Sequence, residues 1–299
     1  MRAICSTAAK QRRPHPGPLP SEWEREKEGL ALVSRFEVSV RPWVLAELNY
    51  GYLREHPCQV AVLPFGATEP HNLHLPYGTD TLEAEVIGSR VCEAAFNRGA
   101  AVVMLPAIPY GTDTNQLGFP LAINLNPSTL LTVIRDIVDS LAAHGIHKLM
   151  LLNSHGGNDF KPVLRELYGK TPVRLFLCEW YRMAADAQKR IFSTSDDHAG
   201  EVETSLALAY FPELVARDPQ TGRLAADDGN VRPTRFEAVN RGWVSITRPW
   251  HLLTTNSGAG NPHAATAEKG RALMEVLVER ISGFLVELSA APIDEKFPF

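Results

Sequence analysis

Carboxylates and imidazoles are concentrated in one short segment, FGATEPHNLHLPYGTD, which runs from Phe65 to Asp80. Glu69 and His71 are two residues apart, so in an extended chain their side chains lie on the same side. The glycines and prolines exclude one regular helix and let the chain turn back, which would bring Asp80 to the same point. Carboxylate and neutral imidazole are ligands of zinc, manganese and iron, and such a carboxylate could bridge two ions. The segment predicts a metal site, with a solvated polar loop as the alternative.

Two further segments contain histidines that are candidates for a functional site. In LLNSHGGND, a predicted strand delivers His155 into a Gly-Gly turn, where backbone can approach a ligand closely. In DDHAGEVETS, His198 and Glu203 are candidates for the same site, whereas Glu201 is explained equally well as a first-turn carboxylate that offsets a helix dipole. A loop histidine without function is the alternative for His155. A phosphate cradle is disfavoured because the GxxxxGK(S/T) and GxGxxG spacings are both absent.

A metal-activated water fits these residues better than a nucleophilic side chain does. The sequence has no GxSxG elbow, and no cysteine is adjacent to a histidine. Activation of water by a metal needs only the carboxylates and imidazoles that are present. The sequence therefore favours metal-dependent hydrolysis.

Strands and helices alternate along the chain, which predicts an α/β fold. Apolar runs that end in turn residues predict strands in QVAVLPFG, AAVVMLPAIPYG, HKLMLLNSHGGN and VRLFLCEWY. Helical spacing predicts helices in RPWVLAELNYGYLREH, DTLEAEVIGSRVCEAAFNRG, NPSTLLTVIRDIVDSLAAHG, DFKPVLRELYGK, AGEVETSLALAYFPEL and the long PHAATAEKGRALMEVLVERISGFLVELSAAP. Helices of this length between strands imply a mostly parallel sheet that is covered on both faces.

Polar side chains follow all four predicted strands. Glu69 and His71 follow the first strand, Asp113 and Asn115 the second, His155 the third, and Glu179 and Tyr181 the fourth. Ligands of open parallel sheets gather at the carboxyl ends of the strands. The four ends therefore indicate one shared site.

Composition excludes several classes of function. The chain has 299 residues, 44% of them hydrophobic and 21% charged, and a net charge of -4, which gives no electrostatic case for nucleic acid or an anionic membrane. No apolar run is long enough to span a membrane, and the N-terminus lacks the apolar centre of a signal peptide. The four cysteines show no pairing pattern, which predicts reduced thiols and a cytoplasmic protein.

Residues 1–33 are proline-rich and charged, so we expect a disordered tail or a misassigned start, followed by one domain over residues 34–299.

The three clusters, in this order, resemble the motifs of the creatininase (creatinine amidohydrolase) family. The metal loop of the family stands here as GATEPHNLHLPYGTD, its Asn-Gly-His-Gly-Gly-Asn loop as NSHGGN, and its third motif as HAGEVETS. The segment SGAGNPHAATAEKGRAL is similar to the closing part of the family. The resemblance extends from about residue 40 to residue 285.

The resemblance implies a creatininase-like three-layer α/β/α sandwich with a binuclear metal site, in a homo-oligomer that is hexameric or otherwise even-numbered. Glu69, His71, Asp80 and His155 match metal ligands, with Asp80 bridging the ions. Creatininase has another glutamate ligand at the position of Gly157, and Glu203, which matches a site glutamate, is our candidate to replace it. His198 matches the histidine that moves protons, and His74 matches no ligand. Two divalent ions are expected, zinc first, with manganese or iron as alternatives.

The expected reaction is hydrolysis of a C–N amide bond, of the cyclic amide or formamide type, in a small molecule by a metal-bridging hydroxide. His198 would then protonate the leaving nitrogen. The family acts on several substrates, and this chain departs from it at Asn115 and Gln116, where relatives carry a Glu-His pair. The predicted substrate-binding residues are Asn115, Gln116, Trp180, Tyr181 and Trp250, although core packing explains the aromatic residues equally well. The alternatives are a hydrolase or isomerase of a cyclic keto-sugar such as a keto-inositol, and a family member without turnover.

Overall fold

Four parallel strands form the central sheet of the computed structural model, which describes residues 40–194 and 198–299. In chain order they are β1 (Val60–Phe65), β2 (Val102–Met104), β3 (Lys148–Asn153) and β4 (Arg174–Glu179), and across the sheet they are ordered β2-β1-β3-β4. Every residue of β1 and of β3 is buried, as expected for parallel strands covered on both faces. The predicted tail, residues 1–33, lies outside the described residues, whereas Arg41–Phe299 forms one compact unit.

Helices occupy both faces of this sheet. They are α1 (Tyr50–Glu55), α2 (Thr79–Asn97), α3 (Pro127–Ala143), α4 (Lys161–Leu167), α5 (Trp180–Met183), α6 (Ala185–Ile191), α7 (Glu201–Tyr210), α8 (Glu237–Asn240), α9 (Trp250–Leu253) and α10 (Ala267–Ala290). Short 3-10 turns lie at Leu45–Glu47, Pro212–Leu214 and Pro262–Ala264. None of the helices over residues 40–194 and 198–299 has the length and apolar character that crossing a bilayer would require.

Two hydrophobic cores lie on opposite faces of the sheet. The alternation of strand side chains separates Val60 and Val62, which pack against α2 and α10, from Ala61 and Leu63, which pack against α3 and α4. The predicted three-layer α/β/α sandwich with a parallel sheet is therefore confirmed. Since β1 and β3 are central neighbours, the loops that follow them leave the sheet side by side.

Two predicted elements differ from the structure. The expected helix in RPWVLAELNYGYLREH is broken between Leu45–Glu47 and α1, because the side chain of Asn49 accepts a hydrogen bond from the backbone N of Tyr52 and so starts a new helix. The fourth strand ends at Glu179, and Trp180 already begins α5, which turns its indole into the core.

Lys148 joins the start of β3 to the end of the long helix α10. Its buried ammonium donates to the carbonyl oxygens of Leu288 (2.7 Å), Ser289 (3.2 Å) and Ala291 (2.5 Å). The last carbonyls of a helix lack partners within the helix, and a cation there also interacts favourably with the helix dipole. The side chain therefore holds the C-terminal end of α10 against the start of β3.

Replacement of Lys148 by methionine is expected to lower the free energy of unfolding by about 2–4 kcal/mol, because it leaves buried carbonyls without a charged donor. Urea unfolding measures this change. The control is Lys170→Met, which removes an exposed ion pair with Glu166 and should cost at most about 0.5 kcal/mol. Equal stabilities of the two variants would contradict the capping role.

Candidate metal centre

The loop after β1 folds back on itself and buries its chemically active side chains. Asn72 adopts a left-handed backbone conformation (φ +56°), and the chain reverses there so that His71 pairs with Leu75. The reversed chain then enters α2, which carries Asp80 in its first turn. Glu69, His71 and Asp80 are each at most 2% exposed. The predicted reversal by turn residues therefore brings these three side chains together.

His155 lies between three carboxylates at the end of β3. Its Nδ1 is 3.0 Å from Oε1 of Glu69 and 3.2 Å from Oδ2 of Asp80, and its Nε2 is 3.0 Å from Oδ1 of Asp113. Burial would lower the pKa of this imidazole, but the carboxylates of Glu69 and Asp80 outweigh that effect and raise it well above the usual value. The carboxylates around His155 therefore favour a positive charge at this position.

The backbone hydrogen bonds of His71 and His155 leave the other ring nitrogen of each directed at Asp80. His71 Nδ1 contacts the carbonyl oxygen of Glu69 at 3.0 Å, and His155 Nε2 contacts that of Thr112 at 3.2 Å. A carbonyl can only accept, so these nitrogens carry the proton in neutral imidazole. The lone pairs then lie on His71 Nε2 and His155 Nδ1, which face Asp80 at 3.4 Å and 3.2 Å. Metal-bound histidines commonly have this arrangement, with the other nitrogen donating to a carbonyl.

Unpartnered buried atoms support a cation at this point. Among the described residues, His71 Nε2 and Asp80 Oδ2 have no hydrogen-bond partner although both are buried. A lone pair that faces a carboxylate in a buried site is stable only with a proton or a metal ion between them. With protons alone, Asp80 raises the pKa of His71 to about 10 against the lowering effect of burial. The residues fit a divalent ion, whose oxygen and nitrogen ligands they provide.

Three sets of side chains offer ligand atoms that lie within 4.8 Å of one another. They are Glu69, Asp80 and His155; His71, Asp80 and Glu203; and Glu69, His71 and His198. Asp80 is common to the first two sets, and its carboxylate lies between His71 and His155. All the predicted metal-site residues are thus brought to one place.

The position of Gly157 explains why this chain has no ligand there. A Cβ at residue 157 would lie 2.3 Å from His155 Nε2 and 2.4 Å from the carbonyl oxygen of Thr112. A glutamate at this position would displace the hydrogen bond that orients His155. Glu203 approaches instead from the first turn of α7, where its Oε2 accepts a hydrogen bond from the backbone N of Ala199 at 2.5 Å.

His198 lies beside the candidate metal ligands with a defined orientation. Its Nε2 contacts the carbonyl oxygen of Pro70 at 2.8 Å, and its Nδ1 is 3.7 Å from Oε1 of Glu69. The same Pro70 carbonyl accepts a hydrogen bond from Ser257 Oγ at 2.9 Å. Since Nε2 donates to this carbonyl, the ring presents Nδ1 to the site.

Glu201 and His74 have structural roles rather than roles as candidate metal ligands. The buried carboxylate of Glu201 accepts from the backbone and hydroxyl of Ser193 and pairs with Lys269, so it anchors a loop away from the metal ligands. The interpretation as a structural first-turn carboxylate therefore fits. His74 Nε2 contacts Thr204 Oγ1 at 2.8 Å, and burial lowers its pKa to about 4, which keeps this supporting ring neutral.

A cavity of about 230 Å³ adjoins these ligands. Asn115, Gln116 and Trp250, all predicted to bind substrate, lie in its lining. Trp180 does not: it is buried in the core, where its indole N–H donates to Ser154 Oγ at 2.8 Å. Tyr181 packs on the same core and is also absent from the lining, so the core interpretation holds for these two aromatics.

Three residues at this site had no predicted role, although the position of Asp113 after the second strand had placed it at the shared site. Asp113 contacts His155, Arg248 lines the cavity, and Glu83 lies buried one turn after Asp80 on α2. Glu83 could have been inferred from its spacing, because residues three apart on a helix share a face. The position of Asp113 after β2 indicates the same site equally well, because ligands gather at the carboxyl ends of parallel strands. No sequence pattern indicates Arg248.

Glu83 contacts Ser154 rather than a basic residue. Ser154 Oγ donates to its Oε2 at 3.3 Å, and its Oε1 has no hydrogen-bond partner among the described residues. Burial, with Glu203 and Asp80 nearby, raises the pKa of Glu83 well above the usual value. An acid with a raised pKa keeps its proton in the folded state after the unfolded state has lost it, so stability falls as pH rises above the ordinary glutamate pKa.

Replacement of Glu83 by glutamine should therefore change stability in a pH-dependent way. In metal-free protein, we expect wild type and Glu83→Gln to unfold at similar urea concentrations at pH 4, and the variant to be more stable at pH 8. Glu85→Gln, at an exposed position of the same helix, is the control and should show no such divergence. A variant that is less stable than wild type at pH 8 would mean that Glu83 is ionised and stabilising.

Comparisons with known proteins agree with this geometry. A family model described as creatininase, creatinine amidohydrolase, matches residues 46–285. A mycofactocin precursor peptide peptidase of Mycobacterium ulcerans is 30% identical over 226 residues, which is 73% of this chain and 81% of that protein. The creatinine amidohydrolase of Pseudomonas putida is 29% identical over 264 residues, 80% of this chain and 90% of that protein. A 3-dehydro-scyllo-inosose hydrolase of Thermotoga maritima is 27% identical over 170 residues, 54% of this chain and 53% of that protein.

Solved structures share the fold. A creatinine amidohydrolase-like protein of Bacteroides fragilis superposes with a TM-score of 0.76 and 36% identity, over 84% of this chain and 98% of that protein. A creatininase with manganese gives a TM-score of 0.65 at 23% identity, over 84% of this chain and 100% of that protein, a likeness of fold alone.

Proposed function

This chain belongs to the creatininase family of hydrolases, and on that premise we propose that it hydrolyses a C–N amide bond, of the cyclic amide or formamide type, in a small molecule with two divalent ions. The observation that carries this proposal is the pair of ligand sets that share Asp80, one with Glu69 and His155 and one with His71 and Glu203. The carboxylate of Asp80 faces a lone pair of His71 and a lone pair of His155, so it would serve as a ligand in both sets.

The five side chains of these two sets would hold the ions. When bound, divalent ions supply Lewis acidity, which lowers the pKa of water and polarises a carbonyl. The buried hydrogen bonds of His71 and His155 to backbone carbonyls fix the orientation of both rings before any ion arrives, and an ion would replace only the proton on the other nitrogen. Asp113 restrains His155 from the far side of its ring. The chain therefore offers a preorganised set of ligands rather than one that forms around the ion.

His198 is the residue that we assign to proton transfer. Its Nε2–H donates a hydrogen bond to the Pro70 carbonyl, so Nδ1 is the atom that takes up and releases a proton at the site. That atom faces Glu69, one of the ligand carboxylates. A leaving nitrogen seated in the adjoining cavity would be protonated from this side, while Glu203 assists from α7.

The cavity supports a small substrate. Its volume of about 230 Å³ equals that of roughly eight liquid water molecules, which suits a compound of modest size. Asn115 and Gln116 present amide groups that can donate and accept hydrogen bonds, and Trp250 provides an apolar wall. These residues would orient the scissile amide.

A second candidate function is hydrolysis or isomerisation of a cyclic keto-sugar at the same site. The likeness to the 3-dehydro-scyllo-inosose hydrolase and the two side-chain amides in the cavity lining favour it, because amides are suited to hydroxyl groups.

Turnover assays distinguish the two functions. Metal-loaded protein is assayed against lactams, formamides and keto-inositols, with metal content measured in the same samples. Hydrolysis of amides, its loss on chelation and its return with zinc, manganese or iron are the expected results. Turnover confined to keto-inositols would favour the second candidate, and full activity of metal-free protein would overturn both.

Several broader features stay predictions. We propose zinc as the first choice of ion, a cytoplasmic location, and an even-numbered homo-oligomer such as a hexamer. Exposed apolar side chains at Leu117, Leu121 and Leu252 support association with another copy. Light scattering of the purified protein tests the oligomer.

A further inference from the structure

Arg248 introduces a positive charge into a cavity that is otherwise lined by carboxylates, imidazoles and amides. It is the one arginine or lysine among the described residues that line the cavity. Its side chain is half-buried. Neither the sequence motifs nor the proposed metal ligands require a guanidinium here, so its role needs a separate explanation.

Arg248 is held in place by an aromatic ring rather than by a carboxylate. Its guanidinium carbon lies 5.4 Å from the centre of the Trp250 ring. Trp250 is itself fixed, because its backbone N donates to the carbonyl of Asn115 at 2.8 Å and its indole N–H to that of Ser257 at 2.6 Å. A guanidinium stacked on a fixed ring loses less freedom when it binds a ligand.

The donors of this guanidinium are unused. Over residues 40–194 and 198–299, Arg248 has neither an ion pair nor a side-chain hydrogen bond, although Glu69, Asp80 and Glu203 line the same cavity. Bound divalent ions would compensate the charge of those carboxylates. Since no described residue pairs with Arg248, an anion for it would then come from the ligand.

We infer that Arg248 selects amides that carry a carboxylate near the scissile bond. The planar fork of N–H donors matches a carboxylate in a bidentate pair, and the small cavity requires amide and carboxylate to be close together. This inference deepens the proposed function and rests on it. It assigns the substrate class as small anionic amides, such as N-acyl or N-formyl amino acids and lactam carboxylates.

A matched substrate pair tests the inference in the metal-loaded, full-length protein. N-formylglycine carries the carboxylate, and N-formylglycinamide has a neutral group of the same shape in its place. Wild type should favour the carboxylate by about 10- to 100-fold in kcat/KM, as expected for charge-assisted hydrogen bonds. In Arg248→Met this ratio should fall to about one, mainly through a higher KM for N-formylglycine, and Arg248→Lys should be intermediate.

Controls separate selection from other roles of the arginine. Arg241→Met removes an exposed cation from the same stretch of chain, outside the cavity, and should keep the wild-type ratio. If Arg248 only offsets the charge of the site, Arg248→Met would slow both substrates in parallel and leave the ratio unchanged, which would overturn the inference.

The inference can fail separately from the proposed function. Absence of turnover of any amide would contradict the proposed function, and calorimetric binding of the same two compounds to wild type and Arg248→Met would still decide the role of Arg248. Tighter binding of N-formylglycine to wild type, abolished by the substitution, supports it. Equal binding of the two compounds overturns it.

Discussion

Replacement of Asp80 by asparagine is expected to remove both metal ions and to lower kcat/KM by at least about 10³-fold. Asp80 is the one residue common to the two ligand sets that we assign to the ions, and it lies between His71 and His155. Asparagine keeps the size of the side chain but removes the charge that faces both imidazoles. Elemental analysis after dialysis against buffered zinc measures the content per chain.

A ligand of a single ion should behave differently. His71→Ala is expected to retain about one ion per chain, because Glu69, Asp80 and His155 remain. Asp139→Asn, at an exposed position on α3, is the control for the loss of an aspartate and should keep wild-type metal content and activity. Two ions in Asp80→Asn, or none in His71→Ala, would contradict the assignment of Asp80 as the shared ligand.

Replacement of His198 by glutamine is the second change with a large expected effect. We expect kcat to fall by about 10²- to 10⁴-fold while metal content stays at the wild-type level, because the residue moves a proton rather than holding an ion. The deficit should be smaller for an amide with a good leaving group, such as a nitroanilide, which needs less protonation as it departs. Steady-state kinetics with matched alkyl amides and anilides measure the difference.

His198 also forms a third possible ligand set with Glu69 and His71. Loss of an ion in His198→Gln, together with an equal fall in activity for both kinds of leaving group, would assign it to the metal instead.

The sequence predicted the metal loops because their signals are local. Glu69, His71 and His155 follow apolar strands, and the carboxyl ends of neighbouring parallel strands meet by the geometry of the sheet. Glycine and proline in the first loop predicted its reversal, even though the left-handed residue that accomplishes it is Asn72. Residue types within each loop and the rule about strand ends were therefore sufficient to predict that these loops come together.

Other features depend on packing that no local pattern records. Trp180 begins a helix instead of ending a strand, and its ring therefore enters the core rather than the cavity. Arg248 reaches the cavity because Trp250, two residues later, is fastened to Asn115 on a distant loop. Aromatic and basic residues in irregular chain have too many alternative positions for their sequence neighbours to decide among them.

The hydrogen bonds around Pro70 have a consequence for the order of events during biosynthesis. The carbonyl that orients His198 is also held by Ser257, 187 residues further along the chain, and Glu203 lies on α7. A nascent chain that has emerged only through the loop after β3 already carries Glu69, His71, Asp80 and His155, yet it lacks Glu203, His198 and Ser257. Because a metal site is rarely preformed before its domain folds, the proposed two-ion site is expected to load fully only after the ribosome has finished nearly the whole protein. On that proposal, the ions available to the completed chain, rather than to the growing one, would determine which metal the site acquires.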